Sequence, residues 1–124
     1  MQSLKIEATD NTPYVFCDAK TGTIEILGRS IPENATGFYE PILAWLEKYS
    51  KNAADDSKFV FYLDYINSIS QKIIIDILYK ISDIEEGKLV KVEWKYDEDD
   101  EEMMEEGEIF KNKFELDFDL VPVC

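Results

Sequence analysis

Histidine is absent from the 124 residues. Imidazole is the side chain that titrates near neutral pH, so histidine acid–base catalysis, Ser-His and Cys-His nucleophile pairs and most transition-metal sites fall away together. Cations are scarce: 13 Lys and Arg stand against 27 Asp and Glu, a net charge of −14. A field of that sign repels phosphate backbones and anionic lipid, so neither nucleic acid nor a membrane is an expected partner. The two cysteines, Cys17 and Cys124, are too few for a disulfide framework. Long hydrophobic runs are missing too. The most apolar stretch, residues 73–78, contains Asp76 and is far shorter than the roughly 20 residues that cross a bilayer. No charged start with an apolar segment and a small-residue cleavage motif precedes Leu4, and the expectation is a reduced, cytoplasmic protein without a cofactor.

What is present is enough apolar sequence, 45% of residues, for one modest core, so a single domain over residues 1–124 is expected. Leu4 and Ile6 alternate with charged neighbours as an edge strand does. Residues 13–18 and 23–27 are β-branched or aromatic runs joined by Ala19-Lys20-Thr21-Gly22, a hairpin pattern. Phe38, Ile42, Trp45, Leu46 and Tyr49 line one helical face; Pro41 belongs in a first turn, which puts the start near residues 37–40 with Thr36 as cap. Residues 59–66 are apolar on both alternating faces except at Asp64, the pattern of a mid-sheet strand. Ile74, Ile77, Leu78, Ile81 and Ile84 keep helical spacing up to Glu86, where Gly87 serves as the stop. Residues 90–95 read as a strand, 98–110 as an acidic helix and 114–120 as a last strand. The order β-β-β-α-β-α-β-α-β predicts an α/β domain: a mixed, mostly parallel sheet with helices packed on it. The third helix offers chiefly Met103, Met104, Ile109 and Phe110, so its inner contact is expected to be thin.

The most informative segment is Tyr65-Ile66-Asn67-Ser68-Ile69-Ser70-Gln71-Lys72, where the central strand gives way to a helix. With Ser68 as N-cap, Gln71 completes an S-x-x-Q capping box. The same hydroxyl stands at the positive end of a helix, where a phosphate would meet exposed N–H groups. A cap and a modification site both fit those atoms.

Taken together, Gly28-Arg29-Ser30-Ile31-Pro32-Glu33-Asn34, the aromatic helix with Trp45, and the segment from Tyr65 to Lys72 resemble the SiaC family of bacterial regulatory phosphoproteins over nearly the whole chain. That family is similar in architecture to the STAS-type anti-sigma factor antagonists, which carry a phosphorylatable Ser or Thr where a strand meets a helix. The resemblance implies a STAS-like fold and a non-catalytic switch. In it, Ser68, directly after Asn67, is the acceptor, Ser70 its rival, and Gln71 and Lys72 flank the site. It also implies the partners: a Ser/Thr protein kinase, a metal-dependent protein phosphatase, and a diguanylate cyclase bound and activated by the unmodified form.

Other features read more plainly. Residues 97–108 hold nine carboxylates. Asp97, Asp99, Glu101 and Glu108 fall at calcium-loop positions one, three, five and twelve, but Glu102 replaces the glycine of the sharp bend, which favours a solvated helical face over a cation site. Cys17 reads as a small buried hydrophobe, and Trp45 and Trp94 as core residues. Asp64 and Asp76 are the acids set in apolar stretches. A small carboxylate-dependent enzyme built on them, with a closed pocket around Asp64, is one alternative to the switch. A constitutive scaffold in which Ser68 is only a cap is another.

Overall fold

The computed structural model describes residues 1–84 and 86–124. Alternating burial forms β2 (Tyr14–Asp18) and β3 (Thr23–Ser30), and β1 (Leu4–Ile6) pairs with β2. Gly22 closes the hairpin at φ 68°, and a Cβ there would collide with the Asp56 carbonyl, so the turn requires glycine twice over. There follow α1 (Ala35–Lys51), β4 (Asp56–Ile66), α2 (Ser68–Ser82), β5 (Leu89–Asp97), α3 (Glu101–Lys113) and β6 (Asp117–Val123). The six strands form one sheet in chain order, antiparallel from β1 to β3 and parallel from β3 to β6. This is the mixed, mostly parallel α/β architecture expected from the element order.

The three crossovers step along the sheet in the same direction. Right-handed connections of that kind put every helix on one face. Strand register agrees: Val15, Ile26, Phe61 and Trp94 share a rung, all four are buried, and Phe110 of α3 packs on Trp94 at 5.2 Å. Tyr49 of α1 bonds to Ser57 on that same face of β4 at 2.6 Å. The opposite face carries Phe16, Glu25, Val60, Glu93 and Asp119, and there Lys58–Glu93 and Lys91–Asp119 ion pairs lie between strands. β4 is therefore central, but helices cover only one side of it. Its apolar run ends outward in half-buried Tyr62 and exposed Asp64.

Several boundaries move. Asn34, not Thr36, caps α1: its Oδ1 accepts from the Gly37 amide at 3.1 Å. The helix thus begins early enough to place Pro41 inside it, and the Gly37 carbonyl lost to hydrogen bonding is on an exposed turn that water can serve. α2 ends at Ser82 with Asp83 as C-cap, short of Glu86, and the expectation of helix at Glu85 lies outside the described residues. α3 starts at Glu101 because the Asp100 side chain accepts from the Met103 amide at 3.1 Å, while the Glu98 amide is held by the Val123 carbonyl at 2.9 Å. β6 begins only at Asp117, since Phe114 packs edge-on against Tyr79 at 4.9 Å instead of joining the sheet. The thin contact of α3 rests on Met103, Gly107 and Phe110, with Ile109 exposed. Any Cβ on Gly107 would run into the Trp94 indole, so its absence lets α3 approach the sheet. Trp94 Nε1 in turn donates to the Met103 carbonyl at 2.9 Å.

Candidate functional site

β4 carries a bulge near its end: Leu63 pairs with Gly28 and Tyr65 with Arg29, which leaves Asp64 outside the ladder. Two residues later the chain enters α2. Asn67 is the N-cap, and its Oδ1 accepts from the Ser70 amide at 2.9 Å. This corrects the expected capping box. Ser68 is the first helical residue, and Gln71 points away from the cap to bond Glu106 of α3. Asn and Ser are about equal as caps, and the one nearer the strand end holds the extended backbone, here φ −91° and ψ 172°.

The consequence for Ser68 is chemical. It is exposed, and among the described residues its hydroxyl has no hydrogen-bond partner. As a first-turn residue it lies beside amides that the helix does not pair. Ile69 and Tyr65 flank it, 55% and 54% exposed, and Lys72 is exposed one turn on. Ser70 is the reverse case: 0% exposed, its Oγ donates to the Ser30 carbonyl at 3.0 Å and accepts from Ser30 Oγ at 2.9 Å. Ser30 also meets Tyr39 Oη at 2.5 Å, and burial pushes the Tyr39 phenol up to about 12 against the opposing effect of the Ser30 hydroxyl. Sequence reading missed Ser30 and Tyr39. Tyr39 has a visible signal, since it lies on the inner face of the aromatic helix, but nothing local ties Ser30 to a residue 40 positions away.

Carboxylates gather beside Tyr65. Asp64, Asp100, Glu102 and Glu106 line a cleft of about 150 Å³ with Tyr65, Ile66 and Met103. Burial raises the Glu106 carboxyl, partly offset by the Gln71 hydrogen bond. The cleft is below the roughly 300 Å³ of ordinary ligand pockets. Asp76 lines a separate groove between α1 and α2, so the two acids of the enzyme alternative are not brought together. Asp97 ends β5 and Glu101 opens α3, which breaks up the calcium-loop spacing, and among the described residues no three acidic or cysteine side chains are arranged so that they could hold a metal ion. Cys17 is buried, its thiol pushed up to about 12 by burial, and Cys124 is exposed. Among the described residues no helix is long and apolar enough to cross a membrane.

Fold and site together define a small two-layer α/β domain, with helices on one face of the sheet and an unengaged serine at the head of α2. The chain belongs to the SiaC family of regulatory phosphoproteins, whose family model matches residues 6–123. An uncharacterized protein of Pseudomonas aeruginosa strain UCBPP-PA14 is 28% identical over 119 residues, covering 95% of this chain and 94% of that protein. Apo-SiaC from Pseudomonas aeruginosa superposes with a TM-score of 0.88 at 26% identity, over 98% of this chain and 99% of that one. SiaC from the same organism, in complex with the diguanylate cyclase SiaD that it activates, gives 0.89 at 26% identity over 97% and 99%.

Proposed function

We propose that this chain is a non-catalytic switch controlled by phosphorylation of Ser68, and that its unmodified form binds and activates a diguanylate cyclase in the cytoplasm. A Ser/Thr protein kinase adds the phosphoryl group and a metal-dependent phosphatase removes it. The observation that carries this reading is the contrast within one helical turn: the Ser68 hydroxyl is exposed and unbonded, whereas the rival Ser70 is fully enclosed. Family membership and the related SiaC–SiaD complex support the choice of partner.

The sign of the switch follows from the surroundings. Phosphorylation adds about −1.5 to −2 charge and three strong acceptor oxygens. Close to Ser68 in the chain the exposed residues are Ile69 and Tyr65, preceded by Asp64, with the cation Lys72 one turn on. A partner seated on Ile69 and Tyr65 would have to desolvate that dianion with little to pair it, which opposes binding. In the free protein the first-turn amides and the positive helix end stabilise an anion locally.

The test compares Ser68→Ala and Ser68→Asp chains for binding and activation of a purified diguanylate cyclase from the same host. Ser68→Ala retains both, and Ser68→Asp weakens binding by about tenfold or more, on the scale of an unpaired charge at an interface. Equal affinity of the two variants removes the switch and leaves Ser68 a plain first-turn residue.

A further inference from the structure

Three buried hydroxyls meet beneath the head of α2, each from a different element: Ser30 at the end of β3, Tyr39 in the second turn of α1, and Ser70 in the first turn of α2. Each hydroxyl has a single proton, which fixes the direction of the chain. Ser70 gives its proton to the Ser30 carbonyl at 3.0 Å, and Ser30 gives its own to Ser70 Oγ at 2.9 Å. Tyr39 is then the donor to Ser30 Oγ at 2.5 Å. No buried side-chain polar atom is left without a partner among the described residues. The Ser30 carbonyl also accepts from the Asn67 amide at 3.2 Å, and Asn67 caps Ser70 and accepts the Gln71 amide at 3.0 Å. The chain therefore clamps both ends of the short stretch that contains Ser68.

We infer that Ser30, Tyr39 and Ser70 are positioning residues, which pin the first turn of α2 so that Ser68 is presented and Ser70 is withheld from the protein kinase. This rests on Ser68 being the modified residue. A loosened turn would rotate or fray, and two serines two positions apart would then compete. Buried polar networks of this type hold geometry closely because each freed group is left unsatisfied in a low-dielectric setting.

Tyr39→Phe keeps the ring and removes one donor; Ser70→Ala removes the link to the carbonyl. Hydrogen exchange on the full chain reads the clamp without any kinase: the Asn67, Ser70 and Gln71 amides exchange about five- to tenfold faster in Tyr39→Phe, the scale of one lost hydrogen bond, while amides beyond Ile74 keep their rates. Fragment mass analysis of Tyr39→Phe expressed in the native host reads the presentation: Ser68 occupancy falls severalfold and phosphate becomes detectable on Ser70. In Ser70→Ala, the same amides speed up and Ser68 occupancy falls. Unchanged exchange in both variants overturns the clamp. Faster exchange with phosphate still confined to Ser68 at native occupancy overturns the positioning role alone. Native chain that is never phosphorylated on Ser68 overturns the proposed function as well, a result separable from the other two.

Discussion

The Asn67 side chain satisfies the Ser70 amide, and this leaves the Ser68 hydroxyl without a structural duty. Freed from capping, Ser68 can be modified without unfastening the helix it begins. The division predicts unequal costs. Asn67→Ala should destabilise by about 1 kcal/mol, the usual loss for an N-cap, whereas Ser68→Ala should stay within about 0.5 kcal/mol as an exposed substitution. Urea unfolding with unchanged m-values measures both. The opposite order would return the cap to Ser68 and weaken its claim to be a free acceptor.

At the scale of elements, the head of α2 is tied to β3 through the Ser70–Ser30 hydrogen bonds, by way of Ser30 to Tyr39 of α1, and to α3 through the Gln71–Glu106 hydrogen bond. Glu106 contributes unusually, because burial raises its carboxyl and Gln71 only partly offsets this. Its folded pKa lies above the unfolded one, so the favourable linkage is complete below the ordinary carboxylate range and is lost as pH rises through the raised value. Glu106→Gln keeps an oxygen for Gln71 and cannot ionise. Its thermal midpoint should equal or exceed that of the native chain at neutral pH, with the difference vanishing under acid conditions. A lower midpoint at neutral pH would show that the charge strengthens the Gln71 bond by more than its desolvation costs.

The elements themselves were legible because period-two and helical patterns in this chain are long and separated by clear turns, as at Ala19-Lys20-Thr21-Gly22. Their ends were less so. Asn34 and Thr36 are both able caps, and likewise Asn67 and Ser68, so side-chain chemistry alone does not choose between them. Phe114 and Leu116 continue the alternation of β6, yet the strand starts at Asp117 and Phe114 packs on Tyr79 instead. The hydroxyl chain was hidden for a stronger reason: Ser30 and Ser70 meet through the parallel pairing of β3 with β4, a contact with no local signature.

For the whole molecule, a net charge of −14 means that every added anion works against an existing field. Helices on one face leave the C-terminal end of β4 and the head of α2 together, and the proposed switch acts there, a single phosphoryl group changing what docks. Mass analysis of the chain isolated from its native host, intact and as fragments, with and without phosphatase treatment, tests this most directly. The account predicts a fraction heavier by one phosphoryl group, located on Ser68 and removed by the treatment. Modification confined to another residue, or none under any growth condition, contradicts it.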